Sequence, residues 1–241
     1  MSGHSHWAGI KHKKGIEDAR RAKIFAKMAR FIVIAARDKG GDPAMNPSLR
    51  MAVEKARSVN MPADNIERAI KRGTGEGEGM ALEGVLYEAF GPGGAAVLIE
   101  GITDNKNRTL PEVRKIVTEH GGRMADPGSV AWMFERKGYL TVPTDDKNQM
   151  TNDDVELKAI DAGADDIKKG DEGVVVYTAP DKLMEVKKNL EGAGIAIRET
   201  GFEYIAKNAL PPSDEKTQAQ LEKFFEALDE HDDVQEIYSN A

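Results

Sequence analysis

The 241-residue chain is acidic overall, with 34 Lys and Arg against 41 Asp and Glu, a hydrophobic content of 40% and no cysteine. This is the composition of a soluble globular protein with room for two or three compact domains, and it excludes disulfides, thiolate metal ligands and thiol nucleophiles. The longest apolar run, residues 31–36, is far short of the ~20 residues that span a bilayer, and no apolar signal core opens the chain, so a cytoplasmic location is expected.

The charge is unevenly placed. Residues 1–80 hold 16 Lys and Arg against 9 Asp and Glu, a net +7, while the remainder holds 18 against 32, a net −14. A basic module joined to an acidic one points to a polyanionic partner for the first, with nucleic acid the leading choice. The opening segment concentrates the cations: Lys11, His12, Lys13 and Lys14 lie between Gly9 and Gly15. Trp7 suits base stacking and equally suits anchoring this segment to its domain.

Residues 17–39 are predicted to form one long helix, with Phe25, Met28, Ala29, Ile32 and Ala36 on an apolar stripe. Arg20, Lys23, Lys27, Arg30 and Arg37 fall on the opposite side of the wheel. Gly40-Gly41 stops this helix. Asn46-Pro47 opens a second, through about Val59, and Pro62 a third that ends at Gly73. Glycine at every second position from Gly73 to Gly79 predicts a flexible hinge and a domain boundary.

Beyond it the pattern turns to mixed α and β. Residues 85–90 and 95–102 read as strands around the turn Gly91-Pro92-Gly93-Gly94. Thr109 with Glu112 has the spacing of a capping box that starts a helix, which Gly121-Gly122 ends. Residues 130–134 and 139–142 read as strands turning at Lys137-Gly138. A helix over 151–162, a strand over 173–178, a helix over 180–191 and strands near 195–199 and 202–205 follow. Pro211-Pro212 breaks the chain before a helix over 213–228 and a short strand over 234–238. That lone helix and strand need a sheet to join, so the tail is expected to return to the middle domain. The expected divisions are 1–79, 80–142 with 209–241, and 143–208 as an insertion.

Phosphate recognition requires clustered, accessible cations, which the head supplies. The loop Asp104-Asn105-Lys106-Asn107-Arg108 joins a strand to a helix start and offers cations and amides to phosphate or sugar oxygens; the same composition also makes a simple helix cap. The three N-terminal histidines lack acidic or cysteine companions at ligand spacing, and the Asp doublets are scattered, so neither metal nor other cofactor is expected. No phosphate-binding loop, zinc-protease motif or serine elbow is present. No enzyme is expected.

Several stretches together resemble the YebC/PmpR family. They are residues 3–13 (Gly-His-Ser-His-Trp-Ala-Gly-Ile-Lys-His-Lys), 60–70 (Asn-Met-Pro-Ala-Asp-Asn-Ile-Glu-Arg-Ala-Ile), Gly73-Thr74-Gly75, Gly91-Pro92-Gly93-Gly94, 103–109 (Thr-Asp-Asn-Lys-Asn-Arg-Thr) and Gly128-Ser129-Val130. The resemblance implies an α+β multidomain protein: a helical N-terminal domain followed by two α+β domains of ferredoxin-like type, one inserted in the other. It implies a non-enzymatic, nucleic-acid-binding regulator, foremost a DNA-binding transcriptional regulator. A translation factor acting through ribosomal RNA on ribosomes stalled at proline-rich peptides is the alternative, since the family includes mitochondrial translational activators. A protein–protein adaptor acting through the acidic domains is a further one. The expected nucleic-acid contacts are Trp7, Lys11, His12, Lys13, Lys14, Arg20, Lys23, Lys27 and Arg30 in the head, and Asn105, Lys106, Asn107 and Arg108 in the loop. No recognition helix with helix-turn-helix punctuation is visible, so base reading is not predicted from the residues themselves.

Overall fold

The computed structural model describes residues 18–76, 82–143, 151–170, 173–211 and 214–241. Its helices are α1 (Asp18–Lys39), α2 (Pro47–Ser58), α3 (Ala63–Gly73), α4 (Lys106–Glu119), α5 (Asn152–Ala162), α6 (Leu183–Gly192) and α7 (Glu215–Asp229). Its strands are β1 (Glu83–Phe90), β2 (Ala96–Thr103), β3 (Arg123–Ala125), β4 (Phe134–Pro143), β5 (Asp166–Gly170), β6 (Gly173–Thr178), β7 (Glu199–Ala206) and β8 (Val234–Ser239). The fold is α+β. Contacts divide the chain into two compact units, Met1–Glu135 with Ile205–Ala241, and Arg136–Tyr204.

In the first unit, α1 buries Met28, Ile32, Val33 and Ala36 against Leu49, Val53 and Ala56 of α2 and Ile66 and Ala69 of α3. Asn46 ties the corner between α1 and α2. Its side-chain oxygen accepts from the Leu49 N–H at 3.0 Å, and its amide donates to the Ala35 and Gly40 carbonyls at 2.7 and 2.8 Å. Capping and the turn before it are thereby satisfied by one buried side chain. Leu82 and Ile102 join the same apolar cluster, so the helical module closes its core with residues leading into and out of a sheet.

That sheet has the order β3-β1-β2-β8. β1 and β2 form an antiparallel hairpin from Glu83↔Thr103 to Phe90↔Ala96, and β8 adds antiparallel to β2. β3 also pairs antiparallel with β1, so β2–α4–β3 is a split β-α-β unit with β1 between its strands. Val113 and Val117 of α4 and Leu221, Phe224 and Leu228 of α7 cover Ala89, Val97, Ile99 and Ile237 on one face. The second unit has a sheet of order β5-β6-β4-β7. Leu140, Val142, Val174 and Val176 are fully buried there, as is Ala159 of α5 and, all but completely, Val186 of α6. Thr151 and Asp154 form a capping box at the start of α5.

Several local expectations need correction. Gly73 is the last residue of α3, as expected, but it is held by packing against α1: a Cβ there would sit 2.5 Å from the Val33 carbonyl oxygen. Close packing explains that glycine. Residues 77–79 of the expected hinge lie outside the described residues. Thr109 does not cap α4, because Asn105 does so four residues earlier. Residues 131–133 form a short 3-10 turn and 134–143 one continuous strand, with no reversal at Lys137-Gly138. Glu88 supplies one reason. Its carboxylate accepts the N–H groups of Gly128, Val130 and Ala131 at 2.6, 2.6 and 2.9 Å, which takes the backbone donors of 128–131 away from any ladder. Gly138 sits 3.0 Å, by its Cβ position, from the Leu183 side chain, a close approach within the strand rather than a turn. β3 and β5 are strands that residue patterns alone do not indicate.

Candidate nucleic-acid interface

The cations expected to meet phosphate divide into two groups. Arg20 is exposed and Lys23 half-buried on α1, neither with an ion-pair partner among the described residues. Lys27 and Arg30, one and two turns further on, are not on an outward face. Lys27 is buried and donates to Asp229 Oδ1 at 2.8 Å and to the Asp229 carbonyl at 3.2 Å. Arg30 donates to Asp233 Oδ1 at 2.8 Å, to the Asp232 carbonyl and to the Ile102 carbonyl. The helical wheel separates these positions from the apolar stripe correctly. What it cannot see is the acidic corner between α7 and β8 that this side of α1 packs against. Lys55 of α2 continues the seam to Glu236 at 3.1 Å.

Asp233 is the centre of this arrangement. It is buried, and its Oδ2 accepts from the Thr109 hydroxyl at 2.6 Å and from Arg108 at 2.7 Å. Its backbone carbonyl accepts the Ile102 N–H at 2.8 Å. Burial opposes charge on this carboxyl, but the Thr109 and Arg108 hydrogen bonds and the Arg30 charge prevail and hold it below the usual carboxylate range. Thr109 and Thr103 share a hydrogen bond at 2.7 Å between their hydroxyls, and Thr103 also accepts the Asn105 N–H at 2.8 Å.

The 104–108 loop is exposed from Asn105 to Arg108, yet most of its side chains bond to its own fold. The Asn105 side chain accepts the Arg108 N–H and caps α4. Lys106 pairs with Glu83, whose carboxyl is lowered by that hydrogen bond and charge. Arg108 is shared between Asp104 at 2.9 Å and Asp233. Asn107 is exposed and is the one loop residue expected to contact nucleic acid that makes no side-chain bond among the described residues. The loop's composition is compatible with phosphate contact and with capping; its geometry is that of a cap and a clasp.

Trp7, Lys11, His12, Lys13 and Lys14 lie outside the described residues. The structure adds cations of α3 that the sequence alone does not single out for phosphate. Arg68, Lys71 and Arg72 are exposed, with no carboxylate partner among the described residues. Arg68 is steadied by the Asp64 carbonyl at 3.2 Å and by the Asn65 side-chain oxygen. The i, i+4 spacing of Arg68 and Arg72 is the available signal. No group of three or more His, Asp or Glu among the described residues is placed to hold a metal ion.

Residues 5–76 match the model of the TACO1/YebC protein N-terminal domain, and residues 82–241 match that of the TACO1/YebC second and third domain. The chain belongs to the TACO1/YebC family. A relative from Thermotoga maritima is 49% identical over 240 residues, covering 100% of this chain and 93% of the relative. One from Halothermothrix orenii is 46% identical over 240 residues, covering 100% and 94%. Both are described as probable transcriptional regulatory proteins. The crystal structure of a conserved hypothetical protein from Aquifex aeolicus is similar, with a TM-score of 0.88 and 45% identity over 98% of this chain and 96% of that one. The TACO1/YebC domain boundary at 76–82 falls where the helical module gives way to β1.

Proposed function

We propose that this TACO1/YebC protein is a non-enzymatic regulator of gene expression that binds nucleic acid through its helical head in the cytoplasm. The observation that carries the reading is the charge division, +7 in residues 1–80 against −14 beyond. Arg20, Arg68, Lys71 and Arg72 support it, because they are exposed cations that carboxylates of the described fold leave unpaired. Such a surface meets phosphates, while the acidic remainder repels the same polymer and keeps the head oriented toward it. The relatives' description as probable transcriptional regulatory proteins favours DNA as the target.

One observation favours RNA as a second reading. The loop expected to offer cations and amides to phosphate or sugar oxygens spends Asn105 and Arg108 on its own fold, and no helix-turn-helix recognition element is visible in the sequence to read bases. Recognition by backbone charge and shape suits ribosomal RNA at least as well as an operator.

The test is affinity against salt, read by fluorescence anisotropy with labelled duplex DNA and with ribosomal RNA fragments. Phosphate contacts give a log–log slope of about −0.9 per duplex phosphate neutralised. A flat response on both polymers would overturn the reading and leave the acidic-surface adaptor in its place.

A further inference from the structure

A groove of about 490 Å³ runs between α1 and α3. Phe25, Ala26 and Ala29 of α1, with Met61 and Leu82, give it apolar walls, and Arg30, Arg68 and Arg72 stand along it. Its volume is within the roughly 300–1,000 Å³ of sites that hold small organic groups. A groove that was merely unfilled packing would have no reason to carry two exposed guanidinium groups, Arg68 and Arg72, that pair with no carboxylate among the described residues. A pure phosphate track would have no use for an apolar floor. Resting on the reading that the head binds nucleic acid, the geometry points to this groove as the seat of an unpaired nucleotide, its base against Phe25, Ala29 and Met61 and its phosphates at Arg68 and Arg72.

The chemistry of the walls selects that occupant. Guanidinium groups present paired donors matched to phosphate oxygens, and Arg68 is already oriented by the Asp64 carbonyl and the Asn65 side chain. In a duplex the base faces are stacked on one another and only the phosphates and groove edges are available. An extruded or single-stranded base offers an apolar face together with a charged backbone, the combination that single-strand sites bind. Arg30 also lines the groove, while its guanidinium is bonded to Asp233 just before β8.

The test uses the full chain and anisotropy with fluorescein-labelled oligouridylate, oligothymidylate and a duplex. Ala26 is exposed and lines the groove, so Ala26→Trp fills the space without altering charge, and Ala26→Met is a milder filling should the tryptophan prevent folding. Thermal melting verifies the fold of each variant. The site predicts a loss of single-strand affinity on the order of tenfold in Ala26→Trp, comparable to losing one base stack, with duplex affinity unchanged. Arg68→Ala/Arg72→Ala shallows the single-strand salt slope by about 0.7 for each phosphate no longer neutralised. The tighter of the two oligonucleotides shows whether the groove prefers the RNA or the DNA strand. Wild-type binding that survives both substitutions unchanged overturns the groove and leaves the head reading intact. Absence of any nucleic-acid binding by the wild type overturns the head reading itself.

Discussion

Arg30 and Asp233, separated by 203 positions in the chain, meet at 2.8 Å. This contact joins the first helix to the turn before the last strand, and Lys27 with Asp229 and Lys55 with Glu236 repeat the pattern on either side of it. Cations of the basic head are thus matched to carboxylates of one acidic corner. The charge division serves folding within this unit as well as any partner outside it.

Asp233→Asn is expected to destabilise the first unit by about 3 kcal/mol, because Arg30 and Arg108 then share a buried acceptor that is no longer charged. Chemical denaturation should show an earlier midpoint. An unchanged midpoint would mean that the three-way contact contributes little beyond packing.

The same carboxyl sets an acid dependence. Its folded-state pKa lies below the unfolded value, so its stabilisation is full above the unfolded value near 4 and is lost as pH falls through the folded one. Stability measured from neutral pH downward should decline in this acid window, and the decline should be shallower in Asp233→Asn. Parallel curves for the two proteins would contradict the assignment.

Glu88 holds three backbone N–H groups of 128–131. Burial opposes its charge, yet these donors leave the carboxyl below the usual range. Glu88→Gln replaces one accepting oxygen with a donor and is expected to cost about 1–3 kcal/mol. Hydrogen exchange should locate the loss at Gly128, Val130 and Ala131; exchange elsewhere with those amides still protected would rule the explanation out.

Gly73→Ala distinguishes packing from flexibility. The new Cβ meets backbone of α1 at 2.5 Å, and overpacking of this kind costs about 1–3 kcal/mol. A glycine kept only for a flexible hinge would instead tolerate alanine, or gain from it. Thermal melting of the variant decides.

Replacing Lys11, Lys13 and Lys14 with Glu is expected to abolish nucleic-acid binding and leave the melting temperature unchanged, since these positions lie outside the helical core pattern. Retained affinity in the triple variant would move the interface away from the opening segment and onto α1 and α3.

Much of the architecture is legible along the chain because its signals are local. The stripe of Met28, Ile32 and Ala36, the cap at Asn46 and the glycines after α4 each act within a few residues, and the helices and the β1–β2 hairpin follow from them. The errors share a different cause. Thr109 and Glu112 have the spacing of a cap, but the Thr109 hydroxyl serves Asp233, 124 residues away. The strand expected at 130–134 gives way to a carboxylate on β1.

The sequence by itself determined the α+β class, the helical segments of the head and the division of charge, since periodicity, turn chemistry and composition need no tertiary partner. Which cations remain available to a ligand was decided only by the tertiary structure. Lys27 and Arg30 have the same composition signal as Arg20, and Arg108 the same as Arg68. A charge is committed or free according to what lies within hydrogen-bonding distance of it, and here the partners come from the far end of the chain.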